Sequence, residues 1–143
     1  MARRASVLYE RTVLIDTSAI IALFEPTDRF HIEARQVFAE EGLSWVSADV
    51  TAHEIYTRVR YDRGYSDARS HFNFLRSDPI KVVHFNQEDE DGACALLMKY
   101  AEHKVSFHDA LCAAMMLRLG IYRVFTFDKD FWIMGFEILP GYV

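Results

Sequence analysis

Thr12-Val13-Leu14-Ile15-Asp16-Thr17-Ser18-Ala19 joins a short apolar run to an acid and two hydroxyl residues of the kind that start helices. The apolar residues do not alternate with polar ones, so a strand here is expected to be covered on both faces. Residues 19–24 then read as a short helix, limited by Pro26. A covered strand leading into a helix is the opening unit of a parallel α/β sheet.

The rest of the chain repeats the alternation. Asp28 can cap a helix over 29–41 that Gly42 closes, and 43–47 reads as a second strand. A helix is expected over 49–63 with Gly64 beyond it, another over 67–76 before Ser77-Asp78-Pro79, then a strand over 80–85. Helices follow over 87–103 and 107–119, then a strand over 123–127, a helical turn over 129–133 and a last strand over 135–139. The expected architecture is a mostly parallel, doubly wound α/β sheet of about five strands, with helices on both faces. No repeat or linker divides the 143 residues, so they read as one domain, with 1–11 as an N-terminal extension.

Composition narrows the class. Hydrophobic residues make up 51% and charged residues 26%, an ordinary globular balance. The longest apolar run, 110–117, has eight residues and cannot span a bilayer. Arg3-Arg4 is followed by no apolar stretch of signal length, because Glu10, Arg11 and Asp16 interrupt it. Cys94 and Cys112 sit in apolar helical patterns and read as buried, reduced thiols, which suits a cytoplasmic protein. The net charge of -5 argues, taken alone, against a polyanionic ligand.

In right-handed βαβ units, strand C-termini and helix N-termini share one edge of the sheet, where ligands bind. Four acids fall on that edge. Asp16 and Asp128 follow strands, Asp109 lies in the first turn of the helix at 107–119, and Glu54 lies one to two turns into the helix at 49–63. Each has an ordinary alternative. Ser106-Phe107-His108-Asp109 has the spacing of a capping box, Asp128 can cap the turn after it, and Glu54 can pair with Arg58 on a helix surface. Asp16 is harder to explain that way, because an acid ending an apolar strand is partly desolvated beside other acids unless a cation joins it.

Val13-Leu14-Ile15-Asp16-Thr17-Ser18-Ala19, the segment from Ser47 through His53-Glu54, His108-Asp109-Ala110-Leu111 and Thr126-Phe127-Asp128-Lys129-Asp130-Phe131 resemble the successive motifs of PIN-domain nucleases. More specifically, they resemble the VapC-type toxin ribonucleases of toxin–antitoxin pairs, from about Thr12 to the C-terminus. The resemblance implies that Asp16, Glu54, Asp109 and Asp128 form an acidic catalytic cluster holding Mg²⁺ or Mn²⁺. It further implies endonucleolytic hydrolysis of RNA, leaving a 5′-phosphate and a 3′-hydroxyl, in a homodimer neutralised by a protein antitoxin. Hard divalent cations prefer carboxylate and water oxygens, which suits these residues. The rival reading is a PIN-like module that binds RNA or protein without catalysis.

Around the acids, Thr126 shares a strand face with Asp128, and Thr17 or Ser18 can orient the Asp16 carboxylate or a bound water. Asp130 is either a fifth acid near the metal or a charge in an exposed turn. His53 and His108 adjoin candidate ligands, yet neighbouring helix positions diverge by about 100°, so both are left outside the site. Tyr56 to Tyr65 carries Arg58, Arg60 and Arg63 among aromatics, which fits either RNA contact or a basic helix C-terminus. Setting aside the four clustered acids leaves 17 acids against 16 bases, so the overall charge is a poor reason to exclude RNA.

Overall fold

A computed structural model describes residues 11–141. Along them run β1 (Thr12–Ile15), α1 (Thr17–Phe24), α2 (His31–Phe38), β2 (Ser44–Ala48), α3 (Asp49–Arg63) and α4 (Tyr65–Leu75). Next come β3 (Ile80–Val83), α5 (Gln87–Lys99), α6 (Phe107–Leu119), β4 (Arg123–Phe125), α7 (Asp130–Ile133) and β5 (Glu137–Leu139). Residues 1–10, most of the expected N-terminal extension, lie outside the described part.

All five strands pair in parallel, in the order β3-β2-β1-β4-β5. Alternate side chains of β1 go to opposite faces. Val13 and Ile15 pack with α1 to α4 through Ile20, Ile55 and Leu75, while Leu14 packs with α6 and α7 through Met115, Met116 and Phe131. Both faces are therefore covered, which is why β1 reads as an unbroken apolar run.

This strand order explains the location of the acids. From β1 the chain builds outward through β2 and β3, then returns to the other side of β1 with β4 and β5. The crevice at such a reversal lies at the strand C-termini. Asp16 stands at that point, its N–H donating to the Phe125 carbonyl at 2.9 Å.

Several boundaries differ from expectation. The first helix begins at Thr17, and α2 begins at His31 rather than 29, because the Asp28 carboxylate accepts the Phe30 N–H at 2.8 Å in a turn before it. Gly64, at φ +100°, lets α4 begin immediately after α3, two residues before the expected start. β3 stops at Val83, where His84 Nδ1 and the Phe85 N–H turn to the Asp49 carboxylate at 3.2 and 3.4 Å. β4 stops at Phe125, two residues short of expectation, as Thr126 turns its hydroxyl into the acid cluster. Cys112 is buried, but Cys94 is exposed: it is one position round α5 from the buried Ala93, about 100° away.

Candidate metal centre and active site

Asp16 is the anchor. It is 3% exposed, and its Oδ2 accepts the Thr126 hydroxyl at 2.8 Å and the Ser18 hydroxyl at 3.1 Å. Among the described residues its Oδ1 is buried with no hydrogen-bond partner. Burial, then the negative charge of Asp109, pushes its carboxyl up to about 6, against the lowering effect of the Thr126 bond. A buried carboxylate oxygen without a donor is costly unless something cationic meets it.

Oxygen atoms of Asp109, Asp128 and Asp130 lie within 4.8 Å of one another, and so do ligand atoms of Asp16, His108 and Asp109. Asp109 belongs to both groups and joins them. The Ser106 hydroxyl accepts the Asp109 N–H at 3.1 Å, so the expected cap of α6 forms, and the Asp109 carboxylate meets His108 Nδ1 at 3.1 Å. Asp128 is placed by its own N–H, which donates to Thr126 Oγ1 at 3.0 Å, and its Oδ1 accepts the Asp130 N–H at 3.1 Å. Asp130 thus stands half-buried beside the cluster rather than in an exposed turn. Burial and the neighbouring Asp128 and Asp109 charges raise its pKa.

Glu54 reaches the cluster through a residue that sequence reasoning set aside. His108 Nδ1 lies 3.3 Å from Glu54 Oε2 as well as 3.1 Å from Asp109 Oδ1, and its Nε2 lies 3.0 Å from Thr51 Oγ1. The divergence of neighbouring helix positions does not keep His108 from Asp109, whose carboxylate its ring meets, and the same ring bridges from α6 across to α3. Burial opposes a charge on this ring, yet its bonds to Asp109 and Cys112 and the Glu54 charge outweigh burial and raise it to about 11. His108 therefore links the Asp109 and Glu54 carboxylates. An exposed His next to Glu54, His53, takes no part among the described contacts.

Ser18 and Thr126 interlock behind the acids. Their hydroxyl oxygens are 3.1 Å apart, and Ser18 Oγ accepts the Phe127 N–H at 2.9 Å. Thr17 is buried beside Asp16, and its Oγ1 has no hydrogen-bond partner among the described residues. Of the three candidate arginines, Arg58 lines a cleft of about 580 Å³ that also contains Asp128, whereas Arg63 forms an ion pair with Glu25.

This donor set fits a hard divalent cation: oxygen-rich, convergent, and carrying one buried oxygen that no donor among the described residues satisfies. Mycobacterium tuberculosis VapC20, named a 23S rRNA-specific endonuclease, is 28% identical over 129 residues, covering 90% of this chain and 98% of that one. Its crystal structure, described as that of a sarcin–ricin loop cleaving toxin, matches with a TM-score of 0.81 at 27% identity, over 87% of this chain and 95% of its own. A Klebsiella pneumoniae toxin–antitoxin complex shares the fold at TM-score 0.62 and 20% identity, over 92% of this chain and 95% of that chain. VapBC2 of Rickettsia felis, solved with a promoter DNA fragment, shares it at TM-score 0.66 and 11% identity, over 87% and 93%. The PIN domain pattern matches residues 13–136, and the chain belongs to the PIN-domain family.

Proposed function

We propose that the protein is a metal-dependent endoribonuclease, the toxin of a toxin–antitoxin pair. The observation that carries this reading is the meeting of Asp16, whose buried Oδ1 lacks a partner among the described residues, with Asp109, Asp128 and Asp130 at the point where the strand order reverses. The similarity to VapC20, named as an RNA endonuclease, supports RNA as the substrate.

Asp16, Asp109 and Asp128, with Glu54 drawn in by His108, would hold Mg²⁺ or Mn²⁺, and Asp130 stands beside them. Such an ion supplies an activated water and neutralises charge developing at phosphorus. The chain's own part is positional. Thr126 and Ser18 orient Asp16, the Thr126 hydroxyl also fixes the start of the Asp128 turn, and His108 keeps Glu54 and Asp109 from repelling each other apart. Hydrolysis is expected to leave a 5′-phosphate and a 3′-hydroxyl.

A protein antitoxin fits the apolar surface of α1, α2 and α4, where Leu23, Phe24, Phe38 and Phe74 line a groove of about 450 Å³ with Arg35. We place the active form as a homodimer in the cytoplasm, with residues 1–143 acting as one domain that includes an N-terminal extension at 1–11. No helix among the described residues is long and apolar enough to cross a membrane.

The test compares wild type with Asp16→Asn on structured RNAs, with Mg²⁺, with Mn²⁺ and with EDTA. Cleavage that needs the metal and disappears in the variant is the expected result. Cleavage in EDTA, or undiminished cleavage by Asp16→Asn, overturns the reading, and RNA binding without cleavage across a broad panel points instead to a non-catalytic binding module.

A further inference from the structure

Of the four acids expected at the metal, Glu54 is placed differently from the rest. The ligand atoms that converge within 4.8 Å belong to Asp16, His108 and Asp109, and to Asp109, Asp128 and Asp130, so Glu54 is in neither group. Its side chain is 39% exposed, and among the described residues its ion pair is with His108 rather than with Arg58, the partner its helical spacing allows. What ties Glu54 to the cluster is therefore one imidazole ring, whose Nδ1 lies 3.3 Å from Glu54 Oε2 and 3.1 Å from Asp109 Oδ1.

The orientation of that ring is set from its other end. His108 Nε2 lies 3.0 Å from Thr51 Oγ1 and 3.8 Å from Cys112 Sγ, and those two atoms are 3.7 Å apart. A thiol is a weak hydrogen-bonding group, so the hydroxyl is the stronger partner. Thr51 and Cys112 are both 0% exposed, which leaves bulk water no place to stand in for that hydroxyl. A half-turn of the ring about its Cβ–Cγ bond exchanges each nitrogen for a carbon. Such a turn presents a C–H to the carboxylates and strands the Thr51 hydroxyl in the interior, where an unsatisfied polar group is costly. Thr51 also stands one turn before Glu54 on α3, at i and i+3, so a single helix grips the ring at Nε2 through one residue and at Nδ1 through the other.

Resting on the metal-dependent reading above, we propose that Thr51 is a positioning residue of the metal centre: its hydroxyl fixes the His108 ring with Nδ1 towards the acids, and through that ring it holds Glu54 beside Asp109. Glu54 then acts on the ion through His108 and Asp109 rather than as one of the converging ligand atoms. Thr51, wholly buried, meets no substrate itself.

Nitrogen-15 spectra of the histidine rings and calorimetric Mn²⁺ titrations test this without requiring turnover. Thr51→Val keeps nearly the same shape and removes the hydroxyl. It is expected to shift the His108 Nε2 resonance in the metal-free protein and to weaken Mn²⁺ binding about tenfold, the lower end of the range for partners of metal ligands. Thr51→Ser, which keeps the hydroxyl and loses the methyl, should restore both readings. Glu54→Gln should weaken Mn²⁺ about tenfold in the wild-type background and much less in Thr51→Val, because the ring no longer presents Nδ1 to position 54. Ser70→Ala on α4, whose hydroxyl donates to the Ser66 carbonyl, should change neither reading. A wild-type resonance and wild-type Mn²⁺ affinity in Thr51→Val overturn the assignment, and so does a Thr51→Ser variant as impaired as Thr51→Val, which would make Thr51 a packing residue. Either result leaves the nuclease reading standing if the wild type cleaves RNA with metal. A wild type that shows every expected dependence but never cleaves overturns only the nuclease reading.

Discussion

The Thr126 hydroxyl donates to Asp16 Oδ2 at 2.8 Å, which ties the residue after β4 to the residue after β1 across 110 positions of sequence. The same oxygen accepts the Asp128 N–H at 3.0 Å, so one side chain sets two candidate metal ligands relative to each other. Thr126→Val keeps the shape and removes the bond. A buried hydrogen bond to a carboxylate contributes about 1.5–3 kcal/mol, and outer-shell partners of metal ligands change affinity by about 10–100-fold. Mn²⁺ affinity measured calorimetrically is expected to fall within that range, with the fold retained by circular dichroism. Unchanged Mn²⁺ affinity would mean that Thr126 is only a packing residue.

Asp16 predicts a stability cost at neutral pH. Burial and the Asp109 charge raise its folded pKa to about 6, above the value of roughly 3.9 for an unfolded Asp. The folded state therefore holds this proton more tightly, so stability declines as pH rises from about 4 to about 6 and stays reduced above that range. The shift corresponds to at most about 3 kcal/mol. Without divalent metal, Asp16→Asn should be more stable than wild type at pH 8 by about 1–3 kcal/mol in urea unfolding, with the gain vanishing near pH 4. Adding Mn²⁺ should stabilise wild type more than the variant. A variant that is less stable than wild type at pH 8 rules this account out.

Legibility followed whether a residue's environment is local. The bounds of α3 and α6 match those expected from Gly64 and Ser106, because caps and glycines act on their own backbone. Asp16 stood out because an acid ending a covered strand conflicts with its neighbours. His108 was missed because its role depends on α6 lying against α3, through Glu54 and Thr51, which no spacing within α6 reveals. Cys94 was misplaced for the opposite reason: Ala93-Cys94-Ala95-Leu96 is apolar but has no period, so it could not show which side of α5 faces in. Asp130 required the fold as well, since its neighbour Asp109 comes from another element.

Away from the site, Arg118 donates from Nε and Nη2 to the two Asp89 oxygens at 2.7 and 2.8 Å, clamping α6 to α5. The Asp89 side chain is 0% exposed, so its charge depends on this pair. Burial works against that charge, but the Arg118 and Asn86 bonds outweigh it and hold the carboxyl below its ordinary value. A depressed acid stabilises fully above its unfolded pKa and loses that contribution as pH falls towards the folded one. Asp89→Ala is expected to cost about 1.5–3 kcal/mol at pH 7, from losing the charge-assisted bonds to Arg118 and Asn86, since Arg118 itself is exposed. The difference from wild type should shrink in denaturation curves taken below about pH 4. A cost that is the same at pH 7 and at pH 3 would assign it to packing and capping instead.

Ser18 and Thr126 allow the latch behind Asp16 to be tested as one unit. Their hydroxyls are 3.1 Å apart, both donate to or approach Asp16 Oδ2, and each also receives a backbone N–H, from Phe127 and Asp128 respectively. Ser18→Ala alone leaves the Phe127 N–H without its acceptor, and Thr126→Val alone does the same to Asp128. Each single change should cost about 1.5–3 kcal/mol of stability, in line with losing a buried bond to a carboxylate. After the first removal, however, part of the second residue's network is already gone. The double variant should therefore cost less than the two singles together, with a coupling of about 0.5–2 kcal/mol between them in a double-mutant cycle. The same coupling is expected in Mn²⁺ affinity, since both bonds converge on one oxygen of Asp16. Strict additivity in both measurements would show two independent contacts and remove the case for a shared latch.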